Sequence, residues 1–71
     1  MSTTASYTVT GMTCEHCVDH VTEEVSAIDG VTGVEVALAD GSMVVTSDVP
    51  IDFARITEAV EEAGDYRVAA A

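Results

Sequence analysis

Apolar residues alternate with polar ones over Thr4–Thr10, where Ala5, Tyr7 and Val9 interleave with Ser6, Thr8 and Thr10. That period predicts a strand with one face on a core and one face wet. From Glu15 to Ile28 the spacing changes. Cys17, Val18, Val21, Val25 and Ile28 recur every three or four residues, and Glu15, Asp19, Glu23 and Glu24 take the opposite side. This is the pattern of an amphipathic helix lying on a sheet. Thr13 is the expected N-cap, and Asp29-Gly30 the expected stop. A second strand is expected over Val31–Leu38, with Val34, Val36 and Leu38 inward and Glu35 and Ala37 outward. Ala39-Asp40-Gly41 turns the chain into a third strand, Ser42–Ser47, which places Met43 and Val45 on the core and Val44 and Thr46 on the other face.

Val49-Pro50-Ile51 then reads as an extended connection. Asp52 is the expected N-cap of a second helix, with Ile51 and Ile56 as its hydrophobic staple. Phe53, Ile56, Val60 and Ala63 form that helix's apolar face, Gly64 stops it, and Tyr66–Ala70 closes as a short strand. The order strand, helix, strand, strand, helix, strand predicts an α+β, ferredoxin-like βαββαβ sandwich: a four-stranded antiparallel sheet with both helices on one face. Residues 1–71 are expected to form a single domain, since no repeat, low-complexity tract or linker interrupts the pattern.

Composition narrows the function. At 71 residues with 48% hydrophobic residues and no tryptophan, one small core has to suffice. The two cysteines are too close in sequence to clamp distant elements, so no disulfide framework supports the fold. Met1-Ser2-Thr3-Thr4 lacks the basic region and apolar run of a secretory signal, and no later apolar run approaches the length of a membrane span. A cytoplasmic location is therefore expected. Thirteen acidic residues against Arg55 and Arg67, with no lysine, give a formal charge of −11. Such a charge opposes nucleic acid and anionic membranes as partners and favours basic surfaces. Solubility alone, or an acidic proteome adapted to high salt, accounts for the same composition.

Candidate chemistry lies in Gly11-Met12-Thr13-Cys14-Glu15-His16-Cys17, at the junction of the first strand and the first helix. Two thiols three residues apart at a helix start can point into one small volume, where unpaired amides and the helix dipole favour the thiolate. A Cys-x-x-Cys pair has three common uses: half of a four-ligand zinc site, a dithiol redox centre, or a two-thiolate site for a soft ion. For zinc, only His16 and His20 lie close in sequence, and both read as solvated surface residues. A thioredoxin-like redox motif belongs to a longer parallel α/β unit than this chain supplies. Two thiolates without further strong ligands suit soft ions, chiefly Cu(I). Met12 reads as the apolar anchor of the loop and not as a thioether ligand.

Gly-Met-Thr-Cys-x-x-Cys after a first strand, then Gly30-Val31, Gly33-Val34-x-Val36, and Ala59-Val60-Glu61-Glu62-Ala63-Gly64 followed by a tyrosine, resembles a heavy-metal-associated domain. Starting at its own Met1 and ending after one domain, the chain is expected to resemble the free-standing bacterial copper chaperones more than the tethered domains of P-type ATPases. The resemblance implies that Cys14 and Cys17 bind Cu(I) as thiolates, that Met12 packs under the loop, and that Tyr66 lies near the ion. It implies a carrier and not an enzyme, which hands copper to a similar dithiol on a copper-exporting P-type ATPase or a copper-responsive regulator. A monomer is expected without metal, and a copper-bridged dimer at high loading. Two departures stand out. Asp65 intervenes where the family reads Gly-Tyr, and no lysine is present near the site, so the helix N-terminus is expected to offset the thiolate charge. Two alternatives remain: a carrier or buffer for zinc, cadmium or mercury, with Glu15, Asp19 or His20 completing the site, and a small dithiol oxidoreductase.

Overall fold

A computed structural model describes residues 2–71, so Met1 of the N-terminal stretch lies outside the described residues. The elements are β1 (Thr3–Thr10), α1 (Glu15–Ser26), β2 (Val31–Ala37), β3 (Ser42–Ser47), α2 (Phe53–Ala63) and β4 (Arg67–Ala70). The strands form one sheet in the order β2-β3-β1-β4. Every neighbouring pair is antiparallel, with Ala5 opposite Val45, Val9 opposite Val68 and Val34 opposite Val45. This is the βαββαβ, ferredoxin-like arrangement that the alternation of periods predicts. No helix among the described residues is long and apolar enough to cross a membrane.

Tyr7, Val9, Met43 and Val45 supply the sheet side of the core, Val21 and Val25 the α1 side, and Ile56, Ala59 and Val60 the α2 side. Both helices thus cover one face, and burying each large side chain there contributes about 1.5–3 kcal/mol. The other face carries the Thr and Ser positions of β1 and stays wet. At the end of β1, the Val9 amide donates to the Gly41 carbonyl at 2.7 Å. That bond fastens the β2–β3 hairpin beside the cysteine loop.

Several expected details differ. Helix α1 ends at Ser26 and not at Ile28, because Ala27 and Ile28 donate to Glu24 and Val25, three residues back, at 3.3 and 3.1 Å. The last turn tightens in this way before Gly30 redirects the chain. Strand β2 stops at Ala37. Leu38, expected inward, lies in the turn and is 38% exposed. Phe53, expected in the core, is 45% exposed, and it stacks on Tyr7 with ring centroids 6.0 Å apart. Asp52 occupies the expected N-cap position of α2 but makes no side-chain cap hydrogen bond. Tyr66, expected in the last strand, precedes β4.

Candidate metal centre

Gly11 lets β1 turn towards α1 with φ +100, and a side chain there would strain the backbone. A Cβ on Gly11 would also meet the Asp65 carbonyl oxygen at 3.0 Å and the Tyr66 ring at 3.4 Å. The absence of a side chain thus brings the chain before β4 against the cysteine loop. Met12 is half-buried and packs on the core, which makes it the apolar anchor of the loop.

Cys14, and not the expected Thr13, is the N-cap of α1, with extended φ −157 and ψ 172. Its carbonyl accepts from Cys17 at 3.1 Å and from Val18 at 3.4 Å. Cys17 is then the third helical residue, and the spacing from N-cap to third residue is the one across which a capping box lets two side chains meet. The sulfurs lie 3.7 Å apart and both thiols are free, Cys14 exposed and Cys17 half-buried. With metal–sulfur bonds of about 2.3 Å, as in zinc thiolates, two sulfurs at this separation can reach one ion. Opening them to about 4.6 Å would make that ion linear.

Thr13 lies beside the Cys17 sulfur. Its backbone amide is the largest influence lowering the Cys17 thiol from 9.0 to about 6, followed by the Tyr66 hydroxyl and, through side chain and amide, Cys14. Partial burial opposes them. The Thr13 hydroxyl lies 3.8 Å from the same sulfur. Specific donors in the loop thus favour the Cys17 thiolate, alongside the expected contribution of the helix N-terminus. In return, Cys17 raises the Tyr66 phenol, with burial and the charges of Cys17, Cys14 and Asp65 adding to the effect.

The extra residue before Tyr66 is absorbed locally. The Tyr66 amide donates to the Gly64 carbonyl at 2.9 Å, closing a three-residue turn that loops Asp65 out. The Tyr66 ring falls back over Gly64, where a Cβ would meet Cε2 at 2.9 Å. Tyr66 is thus held between two glycines, where it and Cys17 influence each other's titration. Neither this turn nor the Thr13 donor has a signature in the sequence beyond the nearness of Gly, Asp and Thr.

His16 and His20 are exposed. Among the described residues, no three His, Cys, Asp or Glu side chains converge where they could hold a metal ion. The arrangement that would have completed a zinc site with Glu15, Asp19 or His20 is absent from those residues. A groove between α2 and β4, lined in part by Glu61, Tyr66 and Arg67, includes neither cysteine. The dithiol lies on open surface, suited to exchanging a ligand with another molecule.

Residues 6–65 match the heavy-metal-associated domain family. The copper chaperone CopZ of Bacillus subtilis (strain 168) is 40% identical over 62 residues, spanning 86% of this chain and 88% of that protein. The mercuric transport protein periplasmic component of Pseudomonas fluorescens is 37% identical over 62 residues, or 86% of this chain and 68% of that protein. A solved copper-binding domain from HMA7, a P-type ATPase, matches with a TM-score of 0.85 at 27% identity, covering 100% of this chain and 95% of that domain. The match runs from the middle of β1, through the dithiol loop, to the turn before β4, and the chain belongs to the heavy-metal-associated domain family.

Proposed function

We propose that this protein is a cytosolic Cu(I) carrier that binds the ion on Cys14 and Cys17 and passes it to a dithiol on a P-type ATPase domain or a copper-responsive regulator. The observation carrying this reading is a pair of free sulfurs 3.7 Å apart on open surface with no third donor converging on them among the described residues. Two thiolates satisfy Cu(I), whereas zinc seeks four ligands. The copper chaperone relative supports the choice of ion, and the P-type ATPase domain of the same fold supports the choice of acceptor.

Transfer is ligand exchange. A thiolate of the acceptor bonds to the ion and makes it three-coordinate, a sulfur of this chain leaves, and a second exchange completes the hand-off. Each acceptor thiol gives up one proton and each released sulfur can take one, with no change in oxidation state. No substrate bond is made or broken, so the protein is a carrier and not an enzyme. At copper loadings above one per chain, two dithiols facing each other would share ions in a dimer.

The test mixes the Cu(I)-loaded protein with a metal-free dithiol acceptor domain and follows copper on each after separation. Copper is expected to equilibrate between them within the mixing time, and copper retained on the donor despite an acceptor of equal affinity would contradict the reading. The mercuric transport relative favours one competing cargo, Hg(II), another soft ion suited to two thiolates. Under that reading Hg(II) would be passed on in the same assay and Cu(I) would not.

A further inference from the structure

Helix α1 turns Val21 and Val25 into the core. At 3.6 residues per turn, His16, Asp19, His20 and Glu23 fall within about 100° of arc on the opposite side, and all four are exposed. They repeat at the intervals that mark one face of a helix. Cys14 precedes this helix and Cys17 stands on its flank, half-buried. Neither histidine is used by the core or by the donors that surround Cys17.

We propose that the imidazoles of His16 and His20 form a second metal site on the solvent face of α1, separate from the dithiol, for a borderline divalent transition ion of the zinc class. Residues four apart on a helix have Cβ atoms about 5–6 Å apart, a spacing from which two ring nitrogens can reach one ion at about 2.0–2.1 Å. Imidazole suits zinc and nickel, and thiolate takes zinc as well as softer ions. The two imidazoles therefore add a weaker, nitrogen-only donor set beside the dithiol. Asp19 and Glu23 lie on the same stripe, and the net charge of −11 raises the local concentration of cations. No three donors converge among the described residues, so two nitrogens hold the ion, water fills its remaining positions, and binding is weaker than at the dithiol. A zinc ion there places two positive charges beside the cysteine loop and reduces the negative field that an approaching partner meets.

The test removes the thiols first, so that its failure would leave the copper reading untouched. Zinc is titrated into wild-type protein whose cysteines are blocked with iodoacetamide, and into the Cys14→Ser/Cys17→Ser variant, with folding checked by circular dichroism. Calorimetry and the histidine ring resonances report binding. One zinc per chain is expected, shifting both rings together, and His16→Ala and His20→Ala should each weaken binding about tenfold by removing one of two nitrogen ligands. Millimolar magnesium, which prefers oxygen ligands, should not displace the zinc. Absence of saturable binding, displacement by magnesium, or dependence on only one histidine or on neither would overturn the proposal.

Discussion

Cys17 sits where the loop concentrates its donors, and its behaviour follows from those neighbours. Because its thiol titrates near 6 in the folded protein and at an ordinary 9.0 without the fold, the thiolate stabilises the folded state. That contribution is fully present above 9.0, declines as pH falls towards 6, and is gone below it. The difference in urea midpoint between metal-free wild type and Cys17→Ser is therefore expected to widen from pH 6 to pH 9, and a constant difference would contradict the assignment. Tyr66→Phe removes a hydroxyl that lowers the Cys17 thiol. Thiolate absorbance of the variant should titrate at higher pH, and iodoacetamide should alkylate Cys17 more slowly at pH 7. The cysteine pair and the Met12 anchor were legible in the sequence because each has a residue type and spacing that carry chemistry, whereas the nearness of Tyr66 came only from the family resemblance, against the spacing that Asp65 imposes. The Thr13 amide was not legible, since any residue offers a backbone N–H and only the folded loop selects which one meets the sulfur.

Elements whose apolar period was clear, β1, β3 and α2, form where that period places them, and their inward residues supply most of the core. Misreadings fall at ends. Leu38 continued the alternation of β2, but the chain leaves the sheet after Ala37 to make the turn whose Gly41 carbonyl is held by Val9. This contrast is measurable. Ile56→Ala empties a fully buried position of α2 and should cost about 2–5 kcal/mol in urea unfolding. Leu38→Ala, at 38% exposure, should cost much less, and equal losses would place Leu38 in the core after all. At the junction of β1 and α1, Gly11→Ala forces a Cβ onto φ +100 and against the Asp65 carbonyl. Backbone strain of this kind costs about 1–3 kcal/mol, and the shifted turn should carry Tyr66 away from Cys17. A stability change below that range, with the Cys17 titration unaltered, would show that the two loops are not coupled through Gly11.

Charge is distributed unevenly over the protein. Helix α1 carries Glu15, Asp19, Glu23 and Glu24, and α2 carries Glu58, Glu61 and Glu62, whereas Glu35 alone among the acidic residues is on a strand. The acidic layer therefore borders the dithiol end through α1. Replacing Glu15 and Asp19 by Gln and Asn should slow copper transfer to a basic acceptor while leaving copper affinity nearly unchanged. In wild type the transfer rate should fall as salt shortens the screening length, which is about 10 Å at 0.1 M. Stopped-flow transfer at low and high salt measures both effects, and rates indifferent to both would leave the charge to solubility or a salty cytoplasm. Composition announced the acidity but not this segregation, which arises because alternating Thr and Ser fill the wet face of β1 and carboxylates fill the solvent faces of the helices. The most direct test of the proposed function is a competition titration of the reduced protein, and of its Cys14→Ser and Cys17→Ser variants, with Cu(I) and Zn(II). One Cu(I) per chain is expected to bind in preference to zinc, and each variant should lose tight copper binding because half the ligand set is gone. Tight copper binding retained by both variants, or zinc displacing copper from the wild-type dithiol, would contradict it.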